Sequence, residues 1–209
     1  MLKNAIRWCA DIGMFALDLP KTTCRHRTAF CNAHCYNVKI YNMFKAAMPA
    51  RDAKNWAAWL SATAGDFAEF FAAKRRRQTA RFRFATRGEV LSTPADVFKV
   101  AEIAKASPAV LFWIPTRAWR NAGMRALVQT VLFPIPNIRL CASLDPTNTA
   151  EETASLKNDG WSTLFFGDNA ATDGRMLCPK TWEHTKGACA TCERGCFSAA
   201  RTDVHLKQH

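Results

Sequence analysis

Four apolar stretches of strand character stand out along the chain: Phe82–Thr86, Ala109–Ile114, Ile138–Leu144 and Ser162–Phe166. Between them run segments whose apolar residues recur at helical spacing. Thr93-Pro94-Ala95-Asp96 is a helix start, with Thr93 as N-cap and Pro94 in the first turn. The helix it opens carries Val97, Val100, Ala101 and Ala104 on one face. Arg117–Leu132 and Asn148–Lys157 are further helices by the same reading. Strand then helix, repeated, is the pattern of parallel βα units.

Upstream, a first strand falls within Arg7–Leu17, followed by a loop over Asp18–Cys35 and helices over Tyr36–Met48 and Asp52–Arg76. Trp56, Trp59, Phe67, Phe70 and Phe71 form an apolar helix face suited to a core, and Trp113 reads as core as well. The expected class is therefore α/β: a partial βα barrel or an open parallel sheet. At 209 residues the chain is too short for a complete eight-fold barrel of the usual size. Such sheets carry their sites at the C-terminal ends of the strands. Residues 1–177 make up this body and residues 178–209 a cysteine-rich, metal-binding extension packed on it.

Nine cysteines change the picture. The N-terminal residues, interrupted by Asp11 and Asp18, do not read as an export signal, and Ala109–Pro115 is too short to span a bilayer. The expectation is a reducing cytoplasm, where clustered cysteines hold metal more often than they pair. Seven fall in two groups. Cys24, Cys31 and Cys35 form one, Cys178, Cys189, Cys192 and Cys196 the other, with Cys189-x2-Cys192 the tightest pair. Four thiolates suit a tetrahedral zinc or a four-iron cluster, so both stay open at the second group. Three thiolates leave one iron of a 4Fe-4S cluster open to substrate, or the set is completed by His26, His34 or a C-terminal cysteine. Cys9 and Cys141 stand apart in strand-like surroundings and read as buried structural cysteines.

The net charge of +12 points to a polyanionic partner, most simply nucleic acid. Lys74, Arg75, Arg76, Arg77, Arg81 and Arg83 lead this basic run, which ends at Arg87. Arg81 and Arg83 alternate with Phe82 and Phe84, so one face of that strand is charged. Phosphate contact and a solvated helix end are the two readings of the run. No nucleophile elbow, phosphate-binding glycine loop or His-Glu-x-x-His helix is present, so hydrolytic chemistry has no motif here.

These residues carry a family resemblance. The CRHRTAFCNAHCYN segment, the Arg87-Gly88-Glu89 strand end, Leu111–Arg117, Leu140–Asp145, the closing cysteine group and the late His205 resemble the phage gene product 88 family. That family is in turn remotely similar to radical S-adenosylmethionine enzymes. The resemblance implies a three-cysteine iron–sulfur loop after the first strand. It also implies Arg87, Gly88 and Glu89 as the segment that holds the cofactor amine, although the spacing of Cys24, Cys31 and Cys35 differs from the usual one. It further implies an electron donor as partner, a host-cytoplasm location and an enzyme whose substrate the sequence does not name. The alternative is a non-catalytic iron–sulfur or zinc protein that binds nucleic acid.

Overall fold

The computed structural model describes residues 2–74, 80–167, 174–184, 188–193 and 195–207. The chain opens with a short helix, α1 (Leu2–Ala5), and a hairpin of β1 (Ile6–Cys9) and β2 (Met14–Leu17). Gly13 sits at φ +66° in that turn, a conformation glycine adopts freely. The single expected first strand is thus two antiparallel ones, with Ile6 opposite Leu17.

Helices α2 (Ala29–Ala33), α3 (Tyr36–Met43), α4 (Ala47–Ser61) and α5 (Ala64–Ala72) follow before β3 (Arg81–Phe84). Then come α6 (Pro94–Ala106), β4 (Leu111–Thr116), α7 (Ala122–Val131), β5 (Ile138–Leu144), α8 (Ala150–Asn158) and β6 (Ser162–Gly167). The last elements are β7 (Met176–Leu177), α9 (Pro179–Trp182), α10 (Ala188–Thr191) and β8 (Asp203–Lys207). The strands form one sheet in the order β1-β2-β3-β4-β5-β6-β8-β7. All neighbours from β2 onward are parallel. The class is α/β as expected, and the order runs from one free edge to another, as in an open sheet. The C-terminal residues do more than lie against the body: β8 enters the sheet between β6 and β7.

Side chains alternate cleanly between two faces. Phe15, Leu17, Phe82, Phe84, Phe112, Ile114, Ala142 and Leu144 face the helices and join Trp59, Phe67, Phe71, Val97, Val128 and Leu156 in the larger core. Phe82, Phe84 and Phe112 meet Phe67 and Phe71 edge-on or tilted at centroid distances of 5.3–6.4 Å. Truncating any of these rings to alanine costs about 3–5 kcal/mol. Met14, Ala16, Trp113, Cys141, Leu164 and Val204 face the other way and form a second, smaller core with Phe197. Among the described residues no helix is long and apolar enough to cross a membrane.

Candidate metal centres

The first cysteine loop leaves the C-terminal end of β2. A 3-10 turn, Lys21–Thr23, presents Cys24. Thr23 anchors this turn to the loop after β3: its hydroxyl accepts from Glu89 N at 2.8 Å, and its carbonyl accepts from Ser92 Oγ. Thr28 caps α2, accepting from Cys31 N at 2.9 Å, while its hydroxyl donates to Asp145 Oδ2 at 2.5 Å. Cys35 is the N-cap residue of α3. Asp145, just past β5, also pairs with Arg117, just past β4, at 2.8 Å. The loops after β2, β3, β4 and β5 are therefore tied together around Cys24, Cys31 and Cys35.

All three thiols are half-buried. Burial, then Glu89, Cys31 and Cys35 push the Cys24 thiol up to about 12, against the opposing pull of Arg27. Burial raises Cys31 as well; Arg117, which bonds to it, pulls the other way, and Cys35 and Asp145 add to the rise. These mutual effects place the thiols within electrostatic reach of one another. Among the described residues no three histidine, cysteine, aspartate or glutamate groups are gathered as a single bound ion would gather them. The donor set nonetheless fits an iron–sulfur group. Three soft sulfurs lie along one stretch of chain, with Arg27 near Cys24 and Arg117 near Cys31 to balance the charge of bound thiolates. His26 is lowered by burial and by Arg25 and Arg120, so it offers a neutral imidazole nearby. The His34 ring lies 4.3 Å from that of Phe30.

Arg87, Gly88 and Glu89 stand on the same edge, and the fold uses each of them. Arg87 is buried and bonds Asp52 at 2.8 Å and Asp18 at 3.3 Å. Asp18 also receives Arg7 at 2.7 Å and the Thr86 hydroxyl, and Tyr41 donates to Asp52 at 2.7 Å. Gly88 has φ +79°, and a Cβ there would stand 2.5 Å from the Leu19 carbonyl oxygen. Both carboxylate oxygens of Glu89 are engaged, one by Leu91 N, the other by Thr116 Oγ1 and Arg117 N. Burial holds the Glu89 carboxyl above its ordinary value against those three donors. The segment expected to hold a cofactor amine has the Arg87 and Glu89 side chains engaged within the protein, and Arg87 O and Glu89 N are likewise taken, by Leu19 N and Thr23 Oγ1.

The second thiol group lies on the opposite face of the sheet. Cys178, Cys189 and Cys196 pack against the smaller core. Burial, then Cys178 and Cys192, raise the Cys189 thiol to about 11, with Arg83 opposing. Arg81 holds the loop from below: its Nη1 donates to the carbonyls of Cys189 at 2.8 Å and Cys192 at 2.7 Å. The Arg83 guanidinium lies over the Trp113 ring at 4.3 Å. The charged face of β3 thus meets the C-terminal cysteines. Of the other cations in that run, Lys74 has its ammonium 5.3 Å from the Phe70 ring, and Arg75, Arg76 and Arg77 lie outside the described residues.

Cys141, expected to be an isolated structural cysteine, is buried but not isolated; both it and Cys196 are free thiols, and the Cys196 thiol is within reach to donate a hydrogen bond to Cys141. Its place on β5 carried no spacing signal, because its neighbour is 55 positions away in the chain. Asp145 was equally hidden, a carboxylate just past a strand whose partners come from two other loops. His205 on β8 is fully buried between Phe165 and Trp182, with both ring nitrogens unpartnered among the described residues.

Residues 3–195 match the family model described as gene product 88. No curated protein and no solved structure matches the chain.

Proposed function

The chain belongs to the gene product 88 family, and on that premise we propose that it is an iron–sulfur enzyme of the radical S-adenosylmethionine type, with its cluster on Cys24, Cys31 and Cys35. The observation that carries this reading is the convergence of those thiols at the C-terminal edge of the parallel strands. Sites of parallel sheets form at that edge. Three thiolates leave one iron open for a ligand. Glu89, Arg117 and Asp145 hold the surrounding loops rigid through bonds among themselves and with Thr28 and Thr116. When bound, the cluster supplies one electron, taken from an external reductant, to split S-adenosylmethionine into methionine and a 5′-deoxyadenosyl fragment. The protein's part is to bind, orient and shield. The second group, Cys178, Cys189, Cys192 and Cys196, is read as a further thiolate centre holding zinc or iron–sulfur.

Anaerobically reconstituted protein is expected to contain iron and sulfide, and with dithionite to convert S-adenosylmethionine to methionine and 5′-deoxyadenosine. Replacing Cys31 by alanine removes both the iron of that centre and the cleavage. A protein that holds its full iron and sulfide yet never cleaves the cofactor is the non-catalytic alternative. A protein that takes up zinc alone defeats the iron–sulfur reading itself.

A further inference from the structure

We propose that Cys141, in the middle of β5, is a ligand of the C-terminal metal centre, so that the centre is built on the sheet and not only within the tail. This rests on the reading of the C-terminal quartet as a metal site and adds a ligand that no spacing in the chain announces.

Three observations converge. First, the thiols lie together: Cys141 sits in the smaller core with Cys178, Cys189 and Cys196 packed against it, and the Cys141 and Cys196 thiols are within hydrogen-bonding reach of each other. A tetrahedral ion or a four-iron cluster takes four thiolates, and apart from Cys9 on β1 the four that pack on this one core are Cys141, Cys178, Cys189 and Cys196. Second, the surroundings suit a metal-bound sulfur. Trp113 Nε1 donates to Cys141 Sγ at 3.3 Å, and hydrogen bonds to ligating sulfurs are a usual support of thiolate centres. The Arg83 guanidinium, stacked over Trp113, lies within electrostatic reach of Cys141, Cys189 and Cys196, and its Nε is buried without a partner among the described residues. A cation in that position is balanced once the thiols become thiolates. Third, the set rests on apolar side chains. Met14, Ala16, Leu164, Val204 and Phe197 form the core it packs against, with Cys141 1% exposed and the tail cysteines half-buried.

The ligand class is one thiophilic metal centre: an iron–sulfur cluster, whose several irons spread their thiolates apart, or a zinc ion, around which the described thiols would have to draw closer together. Clasping β5 to the segment after β7 would join the middle of the sheet to its last strand.

The test compares metal and sulfide content of the anaerobically purified wild type, Cys178→Ser and Cys141→Ala, with far-UV circular dichroism as the check on folding. Both variants are expected to lose one centre's worth of metal while keeping the iron held by Cys24, Cys31 and Cys35. The metal lost, with or without sulfide, tells cluster from zinc. If Cys178→Ser loses metal and folded Cys141→Ala keeps the wild-type amount, the Cys141 assignment is overturned and the quartet stands. If Cys178→Ser keeps it too, the quartet reading falls and the Cys141 assignment with it. Should Cys141→Ala not fold, the wild-type chain loaded with an NMR-active cadmium isotope decides. Coupling between the metal and the Cys141 β-protons is expected, and its absence beside clear coupling to Cys178 and Cys189 overturns the proposal.

Discussion

At the scale of single residues, the chain spends buried charge to hold its candidate edge in shape. Asp18 illustrates the balance. Burial pushes its carboxyl up, and the Thr86 hydroxyl, Arg87 and Arg7 more than reverse that, so it lies below its ordinary value. A carboxylate with a depressed folded value stabilises the fold fully above its unfolded value, and that stability is lost as pH falls through the folded one. Arg87 is the group that both Asp18 and Asp52 depend on. Arg87→Ala leaves two buried carboxylates without their shared cation and is expected to cost about 3–5 kcal/mol. Asp18→Asn should flatten the acid limb of the stability–pH curve, measured by urea unfolding between neutral and acid pH. An acid limb as steep as the wild type's would show that Asp18 is not the group being protonated.

At the scale of elements, helix starts are where local chemistry and tertiary contact meet. Thr63 with Asp66, Thr93 with Asp96, and Thr149 with Glu152 each form a capping box. The first of these explains why the expected Asp52–Arg76 helix is two helices: the Thr63 cap restarts the chain after α4 ends at Ser61. Likewise α7 starts at Ala122 and not near Arg117, because Asn121 accepts from Met124 N and the residues before it form a 3-10 turn. Asp96 has a further duty, accepting from the indole of fully buried Trp59 at 2.8 Å. Thr93→Ala is expected to lose about 1 kcal/mol. Asp96→Ala should lose more, because it also strands a buried donor at a cost of about 1–3 kcal/mol. Denaturant midpoints rank the two, and equal losses would mean the Trp59 contact contributes nothing.

At the scale of the molecule, two thiol groups sit on two sides of one sheet: one at its C-terminal edge, one beneath it on the face away from the helices. Arg81 is the strut of the second, reaching from β3 to two carbonyls of the C-terminal loop. Hydrogen bonds to charged groups are worth about 1.5–3 kcal/mol each. Arg81→Ala is therefore expected to speed hydrogen exchange and proteolysis over residues 178–207 while leaving the α4–α6 helices protected. Unchanged protection of that segment would mean the C-terminal cysteine loop is held by other contacts alone.

Much of the fold is legible in the chain because its causes are local. Strands β3 to β6 follow from short apolar runs, α6 from its Thr93 cap and periodicity, α8 from periodicity, and the aromatic core from Trp59, Phe67, Phe70 and Phe71. That the cysteines fall into two groups is legible from spacing for the same reason, since the members of each group are close neighbours in the chain. What the chain does not reveal depends on pairing between distant residues. Strand β8 looks like ordinary tail sequence until β6 and β7 flank it. Arg81 and Arg83 look like cations awaiting a phosphate, and the tertiary fold turns them toward the C-terminal cysteines. Cys141 looks like a small buried hydrophobe until the sheet carries it to Cys196. Period and spacing encode which face of an element is buried, but only chain closure decides which distant element that face meets.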